Sequence, residues 1–328
     1  MQTVLVTGAN GFIGGWCIVA LLERGYAVRA TLRSLSREPA VRAAVSRAPD
    51  ATERLSFCAA DLTKDDGWDE AAAGCDYVLH IASPLGTAND PDAFVGPARD
   101  GTLRVLAAAT RAGVKRVVVT SAAAAARPRK GISDETIWAD PSDPQFDAYR
   151  RSKILAERAA WDFMADKRTE LATILPGAVF GPILSKESAG STSIIARLLR
   201  GRPPGIPKIG LWIVDVRDLA ELHVRAMEAP EAAGERFLAA GDFLWMSDIA
   251  TLLREKLGKH ARKVPTCRLS NPTVRFLSLF APQLRAITPL LGVKNELTTA
   301  KARRVLGFAP RPARETIVDC AESLIASL

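Results

Sequence analysis

The sequence predicts an α/β protein built on a doubly wound parallel sheet, with a smaller lobe in its C-terminal half. Three observations lead to this fold class. In the first half of the 328-residue chain, short apolar runs alternate with helical patterns, as in parallel sheets covered by helices on both faces. A glycine-rich turn follows the first apolar run. After Pro176 the alternation ends, and glycine, proline and serine become frequent.

Each strand and helix is assigned from its hydrophobic pattern and its flanking residues. The strands of the sheet are expected at 3–7, 27–32, 55–60, 77–82, 116–120 and 172–176. The helices between them include 12–24, 91–112 and 145–165. The second half is expected to hold a long loop over 181–210 with a helix near 191–200, a strand at 211–214, a helix from about 217 to 229, a strand at 236–240, and helices from Ser247 and over 297–307.

The composition is that of a globular protein and argues against several function classes. Hydrophobic residues make up 48% of the chain and charged residues 24%, and no apolar run reaches the roughly 20 residues that cross a bilayer. Residues 1–6 lead directly into a strand and a glycine turn, so we expect no signal peptide, no membrane partner and a cytoplasmic location. The five cysteines are scattered and the three histidines lie far apart, so we expect reduced thiols and no metal site. The net charge of +8 comes from dispersed basic residues, which favours an anionic small molecule over nucleic acid as the partner.

The segment "VLVTGANGFIGG" places three glycines in GxxGxxG spacing between a strand and a helix. Gly8 permits the tight turn, Gly11 the close approach of the backbone to a pyrophosphate, and Gly14 the close packing of helix on strand. The amide groups at the helix N-terminus then face the anion. The turn is therefore predicted to bind a dinucleotide through Thr7, Gly8, Asn10, Gly11, Phe12, Ile13 and Gly14.

The end of the second strand indicates which dinucleotide is bound. NAD-binding proteins usually place a carboxylate there for the ribose 2′-hydroxyl, whereas this chain has "ATLRS". Arg33 suits a 2′-phosphate, so we expect NADP(H); the other interpretation makes Arg33 an ordinary solvated residue. Asp61, followed by Leu62 after the third strand, has two open roles: it holds the adenine amino group, or it forms a turn or helix cap.

Tyr149 and Lys153, in "DAYRRSKILAE", are four residues apart in a helical pattern, which places both on one face. A tyrosine hydroxyl titrates near ~10 in peptides, and a neighbouring ammonium and an oxidised nicotinamide both favour the phenolate. Tyr149 is therefore predicted to be a general acid towards a carbonyl oxygen. Lys153 is predicted to assist Tyr149 and to bind the nicotinamide ribose.

Together these motifs resemble the extended short-chain dehydrogenase/reductase superfamily. The matching segments are "TGANGFIG", "DL" (61–62), "HIAS" (80–83), "YRRSK", "LPGAVFGP" (175–182) and "DVRDLAELH" (215–223). Within the superfamily, "ATLRS" and "SKILAERAAWDFM" resemble the branch of dihydroflavonol reductases, cinnamoyl-CoA reductases and microbial aldehyde/ketone reductases. The resemblance covers nearly the whole chain and implies a monomer or a homodimer.

The resemblance also implies how the chain is divided. An NADP-binding Rossmann domain is expected over 1–177 and includes the helix with the tyrosine and the lysine. A lobe that mainly binds substrate is expected over 178–328, and segments near 211–240 are expected to return to the sheet.

Further contacts around the nicotinamide follow from the resemblance. The residues expected to contact the cofactor are Ile81, Ala82, Ser83, Thr120, Tyr149, Lys153, Pro176, Gly177 and Val179. The residues expected to contact the substrate are Ser83, Leu85, Ala122, Ile132, Tyr149, Phe180 and Trp212. Leu85, Ile132, Val179, Phe180 and Trp212 each have the alternative role of packing in the core. His80, alone in an apolar strand, is more often a packed residue than a base.

Members of the superfamily usually carry "TSS" at the end of the fifth strand, and the second serine donates a hydrogen bond to the substrate oxygen. This chain has "TSA", so the resemblance places Ala122 at that position. Three interpretations stay open. In the first, Ser121 takes the role through a rearrangement of the strand end. In the second, Tyr149 and Lys153 act alone, with a water or with Thr120. In the third, the protein is catalytically weakened, by nature or by engineering.

The function expected from the sequence is the NADPH-dependent reduction of an aldehyde or ketone, or the reverse oxidation, in a largely apolar pocket. The cinnamoyl-CoA reductase segment "NWYCYGK" is absent, and the asparagine that dihydroflavonol reductases carry after their serine has no evident counterpart. Neither activity is therefore assigned. One alternative is a nucleotide-sugar epimerase or dehydratase with bound NAD, against which Arg33 argues. Another is an NADP-binding sensor that lacks turnover.

Overall fold

The structure is a computed structural model that describes residues 1–46, 48, 53–84, 92–185 and 190–327. The strands are β1 (Thr3–Thr7), β2 (Ala27–Leu32), β3 (Leu55–Ala59), β4 (Tyr77–His80), β5 (Arg116–Thr120), β6 (Glu170–Pro176), β7 (Ala178–Phe180), β8 (Ile206–Pro207), β9 (Gly210–Asp215), β10 (Glu235–Ala239), β11 (Phe243–Trp245) and β12 (Arg268–Leu269). The α-helices are α1 (Phe12–Glu23), α2 (Glu38–Val45), α3 (Trp68–Ala72), α4 (Asp92–Arg111), α5 (Ala148–Met164), α6 (Thr192–Leu199), α7 (Val216–Glu228), α8 (Met246–Leu257), α9 (Asn271–Leu277), α10 (Pro282–Arg285), α11 (Ala300–Leu306) and α12 (Ala313–Ala326).

Seven parallel strands form the central sheet in the order β3-β2-β1-β4-β5-β6-β10. The chain starts at β1, winds outward to β3, and returns across β1 to β4, so the strand order reverses between β1 and β4. Ligands of such sheets bind at this reversal, outside the carboxyl ends of the strands. The register sets Thr7 beside His80 and His80 beside Val119, which brings the ends of β1, β4 and β5 together. The predicted fold class, a doubly wound parallel sheet of the Rossmann type, is confirmed.

Burial of apolar side chains on both faces explains why these segments are strands. Every residue of β4 and β5 is buried, and Val78, Val117 and Val119 pack with Leu106 of α4 in one hydrophobic cluster. Each such side chain contributes about 1.5–3 kcal/mol on full burial. The continuous apolar runs of the sequence are therefore the interior of a covered sheet.

Among the element boundaries that differ from the prediction, two have a clear local reason. β4 ends at His80, two residues early, because the amides of Ile81 and Ala82 donate to the Thr7 hydroxyl instead of continuing the strand. The helix with the tyrosine and the lysine begins at Ala148 and not at 145, because the Asp147 carboxylate accepts the amide of Arg150 and caps it. The ends of both elements are thus determined by side chains that bind backbone amides.

The chain divides into two compact units, each made of several segments. The first consists of 1–176, 217–239 and 297–309, and the second of 177–216, 240–296 and 310–328. Compared with the expected division, 211–216 belongs to the second unit, and 297–309 belongs to the first. β10 adds the seventh strand to the central sheet.

The second unit has its own small sheets and its own core. β9 pairs with β7 in parallel and with β11 in antiparallel orientation, and β8 pairs with β12. Helices α6, α8 and α12 contribute Ile195, Leu253 and Ile317 to its hydrophobic core. Four of its five short strands lie outside the predicted elements, since two or three residues carry too little periodicity to be recognised.

Three general features of the described residues bear on function. No described helix combines the length and apolar character of a membrane-crossing segment. No group of three or more His, Cys, Asp or Glu side chains within the described part of the chain is arranged to hold a metal ion. All five cysteines are free, and Cys267 is the exposed one.

Candidate active site

The glycine turn between β1 and α1 is shaped so that no side chain fits at two of its positions. A Cβ at Gly14 would lie 2.2 Å from the Gly8 carbonyl oxygen, and one at Gly8 would lie 3.0 Å from the Ala82 Cα. Gly8 also has φ +75°, a conformation that favours glycine. Gly11 is the N-cap of α1, whose first turn carries no acidic side chain. The helix N-terminus therefore offers free amides and a positive dipole end to an anion, which fits the pyrophosphate of a dinucleotide.

The end of β1 is held to the end of β4 by a buried hydrogen-bond chain. The Thr102 hydroxyl donates to the Ala98 carbonyl, 2.8 Å away, so its oxygen accepts from His80 Nε2 at 3.2 Å. His80 Nδ1 then accepts from the Thr7 hydroxyl at 2.8 Å. Burial, and secondarily Lys153, lowers the pKa of His80 to about 3. His80 is therefore a neutral residue that positions the cofactor turn, not a base.

Helix α5 places Tyr149 and Lys153 one turn apart. The Lys153 ammonium is buried, and Nζ donates to the Thr120 carbonyl at the end of β5 over 3.1 Å. Burial lowers the pKa of Lys153 to about 8, while the nearby Glu157 acts in the opposite direction. The Tyr149 residue is 40% exposed, and desolvation followed by Asp147 raises the pKa of its hydroxyl. Tyr149 is thus a protonated phenol on a partly exposed residue.

The Ser121 hydroxyl is directed into the protein. Its Oγ donates to Glu157 Oε2 over 2.6 Å, and both residues are buried. The Ser121 amide continues the sheet by donating to the Ile174 carbonyl. A hydroxyl has one hydrogen, and here a carboxylate accepts it. This geometry does not favour Ser121 as the donor to a substrate oxygen.

The Thr120 hydroxyl is engaged in a similar way. His223 Nδ1 lies 2.7 Å from the Leu219 carbonyl, so that nitrogen carries the hydrogen. Burial lowers the pKa of His223 to about 4, so the ring is neutral and its Nε2 accepts from Thr120 Oγ1 at 2.8 Å. The hydrogens of both hydroxyl groups at the end of β5 are therefore directed to buried acceptors.

Ala122 follows in extended conformation, with φ −153° and ψ 150°. Adjacent residues of an extended chain point to opposite sides, so its methyl group points away from the buried side that Ser121 faces. Ala122 is half-buried. Ala122 thus presents a methyl group at the position that the sequence resemblance assigns to the usual serine hydroxyl.

The residues predicted to hold the adenosine end lie after β2 and β3. Arg33 is exposed. Asp61 Oδ1 accepts from both the amide and the hydroxyl of Thr63 at 2.9 Å, which is the turn role considered for it. The Thr63 amide is the largest influence that lowers the pKa of Asp61, and Arg33 acts in the same direction. Leu62 packs against the hydrophobic cluster around α4.

A small cavity lies beside the lysine in the first unit. Its volume of about 10 Å³ is roughly that of one water molecule. Its polar lining includes His80, Ser83, Thr102, Thr120, Ser121, Lys153 and Glu157.

The remaining predicted residues are distributed over both units. Ile132 is 59% exposed, and Pro176 ends β6 in the first unit. Phe180 is fully buried in the core of the second unit, which matches its alternative packing role. Trp212 of the second unit donates from Nε1 to the Asn295 carbonyl over 2.6 Å. The other predicted residues in that unit are Gly177 and Val179, and Leu85 lies outside the described residues.

Sequence reasoning missed the buried groups behind the site, namely Glu157, Arg236 and His223. Glu157 had a local signal, because it follows Lys153 at the same four-residue spacing that links Lys153 to Tyr149. Arg236 and His223 had no local signal. Arg236 contacts Glu157 of α5 from 79 residues away in sequence, and His223 contacts Thr120 of β5 from 103 residues away.

The two buried histidines predict an acid-sensitive fold. Their folded pKa values, about 3 and about 4, lie below the unfolded value near ~6.5. The unfolded chain therefore binds protons first, and stability present above that value is lost as the pH falls. For each pH unit below this unfolded pKa, each histidine should lower the free energy of unfolding by about 1.4 kcal/mol.

Denaturant melts between pH 7.5 and 5.0 measure this effect. His223→Gln should be less stable at pH 7.5 but show a shallower slope, whereas replacing the exposed His260 with glutamine should leave the stability at pH 7.5 unchanged. A wild-type stability that is constant across this range would contradict the assignment.

The geometry described so far is that of a dinucleotide-dependent oxidoreductase, and comparison with known proteins defines the family. A family model described as "NAD dependent epimerase/dehydratase family" matches residues 4–240. "Cinnamoyl-CoA reductase 1" of Oryza sativa subsp. japonica is 40% identical over 266 residues, which cover 77% of this chain and 75% of the relative. "Dihydroflavonol 4-reductase" of Zea mays is 32% identical over 295 residues, which cover 84% and 81%. The chain belongs to the NAD dependent epimerase/dehydratase family, and its predicted place among the extended short-chain dehydrogenases/reductases is confirmed.

A solved structure agrees over the whole length. The yeast methylglyoxal/isovaleraldehyde reductase Gre2, complexed with NADPH, superposes with a TM-score of 0.83 at 26% identity and covers 99% of this chain and 98% of its own. The chain is therefore an oxidoreductase of the extended short-chain type.

Proposed function

We propose that this protein reduces the carbonyl group of an aldehyde or ketone with NADPH, and oxidises the corresponding alcohol in the reverse direction. The observation that carries the proposal is the placement of Tyr149 and Lys153 one helical turn apart, with the lysine ammonium fixed at the end of β5. The end of β5 and the glycine turn after β1 lie at the same edge of the sheet, separated by β4 and on opposite sides of the strand-order reversal where ligands bind.

When bound, the nicotinamide supplies the hydride that reduces the carbonyl carbon. Tyr149 donates its phenolic proton to the carbonyl oxygen, and the resulting phenolate recovers a proton from solvent. The Lys153 ammonium favours that phenolate electrostatically and donates to the nicotinamide ribose. The raised pKa of Tyr149 keeps the phenol protonated until the substrate oxygen gains charge.

The substrate oxygen is proposed to receive its hydrogen bond from Tyr149 without a strand-end hydroxyl. Thr120 and Ser121 already donate to His223 and Glu157, and Ala122 has no donor. Of the three interpretations left open by the sequence, this engagement supports the one in which Tyr149 and Lys153 act alone or with a water. A missing oxyanion donor commonly costs about 10²–10³ in turnover, so we expect slow but measurable catalysis.

The cofactor is NADP(H), as predicted, and Arg33 is proposed to select it. Its guanidinium, exposed after β2 and close enough to Asp61 to lower the pKa of that carboxyl, can pair with the 2′-phosphate. Arg33→Ala should raise the KM for NADPH by about 10- to 100-fold and leave the KM for NADH nearly unchanged. Steady-state kinetics with both cofactors measure this difference. An equal loss with both would assign Arg33 a structural role.

The substrate is proposed to be a largely apolar carbonyl compound. The proposed contacts in the first unit are Ser83, Ala122 and Tyr149, and the small side chain of Ala122 is proposed to leave extra room near the reacting atoms. By their names, the relatives reported above are a cinnamoyl-CoA reductase, a dihydroflavonol 4-reductase and a methylglyoxal/isovaleraldehyde reductase, which supports a carbonyl panel as the first screen.

The experiment that tests the proposal is a spectrophotometric screen of NADPH oxidation with aromatic and aliphatic aldehydes and ketones. Consumption of NADPH that depends on one of these compounds is the expected result. Tightly bound NAD that copurifies with no net consumption would instead indicate a nucleotide-sugar epimerase or dehydratase. NADPH binding without turnover on any compound would refute the reductase.

A further inference from the structure

A carboxylate is completely buried one helical turn beyond the lysine. Lys153 and Glu157 lie at positions i and i+4 of α5 and therefore on the same helix face. The Glu157 side chain has 0% exposure. A buried carboxylate is costly unless the surrounding groups bind it fully, so its partners decide what it does.

Three other elements bind this carboxylate. Oε1 accepts from Thr173 Oγ1 of β6 at 2.8 Å and from Arg236 Nε of β10 at 2.9 Å. Oε2 accepts from the Ser121 hydroxyl at 2.6 Å and from Arg236 Nη2 at 3.4 Å. Glu157 is therefore a fixed anion whose oxygens are bound on all sides.

The arginine that pairs with it is equally fixed. Besides the two bonds to Glu157, Nη1 of Arg236 donates to the carbonyls of Glu135 and Ile137, and Nη2 donates to the carbonyl of Ala125. These contacts use all five N–H groups of the guanidinium. The ion pair is thus part of a rigid network that also holds the segment after Ala122.

Among the described residues, Glu157 is the negatively charged group that stabilises the protonated form of Lys153. The titratable side chains that line the cavity beside Lys153 are His80 and Glu157. His80, from β4, is neutral, and Tyr149, from α5, is protonated before reaction. Arg236, from β10, is the cation paired with Glu157. Its positive charge acts against the attraction between Glu157 and the Lys153 ammonium. Lys153 and Glu157 both line the same small cavity of about 10 Å³, so the two side chains lie near each other.

We propose that Glu157 is a positioning residue for the proposed hydride-transfer reaction. Its buried negative charge keeps Lys153 protonated, and its bond to Ser121 fixes the strand end whose Thr120 carbonyl holds the ammonium. The role of the Ser121 hydroxyl in this proposal is to bind Glu157, which explains why it faces away from the substrate side. The catalytic role of Glu157 rests on the proposed function, whereas its effect on Lys153 can be measured independently of that function.

The test is a pH titration of Lys153 in the full-length protein labelled with 13Cε-lysine, with its signal identified by its loss in Lys153→Arg. Glu157→Gln keeps the size of the side chain and removes the charge. It should lower the titration midpoint of Lys153 by about one pH unit. Arg236→Gln removes the opposing charge and should raise the midpoint.

Thr173→Val is the matched control, since it removes a neutral hydrogen bond from the same carboxylate oxygen. It should leave the Lys153 midpoint in place while lowering the melting temperature. If Glu157 had a purely structural role, the Lys153 titration midpoint would shift in the same direction in all three variants or in none of them. Either result overturns the proposal. If one of the charge variants does not fold, the sign of the shift in the other still decides.

The pH dependence of NADPH-dependent reduction provides the second readout. Because Lys153 must be protonated, activity is lost as the pH rises through its pKa. The alkaline limb of kcat/KM should therefore lie at lower pH in Glu157→Gln than in the wild type. A wild-type protein without turnover would refute the proposed function alone, because the Lys153 titration does not need a substrate.

Discussion

Replacing Tyr149 with phenylalanine should lower kcat for carbonyl reduction by about 10²–10⁴-fold, the usual contribution of a general acid. The substitution removes one oxygen atom from a residue that is already 40% exposed. Little packing is lost, so the protein should fold normally. The glycine turn proposed to bind the dinucleotide is unchanged, so the Kd for NADPH should stay within about twofold of the wild type. Single-turnover kinetics separate the two effects.

Tyr26→Phe is the matched control for this prediction. Tyr26 also lies in the first unit, and its hydroxyl donates to Glu228 at the surface over 2.9 Å. Its loss should leave kcat unchanged. If Tyr149→Phe retained wild-type turnover while binding NADPH, another group would have to supply the proton, and the assignment of Tyr149 would be wrong.

Replacing Ala122 with serine should raise kcat by about 10- to 100-fold. The change introduces a hydroxyl at the position that the sequence resemblance assigns to the usual serine. A donor that binds the developing oxyanion is worth about 10²–10³ in turnover, and part of that gain is lost because the surrounding groups are not arranged for it. The extended conformation of Ala122 allows serine without backbone strain.

Two neighbouring substitutions serve as controls for the gain. Ala123→Ser places the hydroxyl one residue further, in the short 3₁₀ turn, and should not raise kcat. Ser121→Ala removes the bond to Glu157, so it should lower thermal stability and shift the pH profile. A fall in kcat at the pH optimum that is as large as that of Tyr149→Phe would instead make Ser121 the donor. A lower kcat in Ala122→Ser would show that the site is not short of a hydroxyl.

The sequence was sufficient to predict the parts of the fold that depend on local pattern. β1, β2 and β5 have the predicted bounds, because a buried parallel strand is a continuous apolar run bounded by turn residues. The glycine turn could be predicted as well, since the steric demands at Gly8 and Gly14 act over a few residues.

What the sequence did not predict is the direction of the polar side chains at the end of β5. Whether Ser121 faces the substrate or the interior depends on Glu157, and the state of Thr120 depends on His223 of α7. These contacts are made across the fold, and no local pattern encodes them. The same holds for the pairing of β7, β9 and β11, which brings together three short strands from separate parts of the chain.

The central claim is that hydride passes between the dinucleotide and a carbonyl carbon while Tyr149 supplies the proton. The most direct measurement is the reduction of an active carbonyl compound with NADPH that carries deuterium at C4 of the nicotinamide. Mass spectrometry of the product alcohol should show one deuterium on the carbinol carbon when one C4 epimer of the cofactor is used and none with the other. Tyr149→Phe should give the same labelled product, only more slowly. Product without deuterium from either epimer, or no product from any carbonyl compound, would contradict the account.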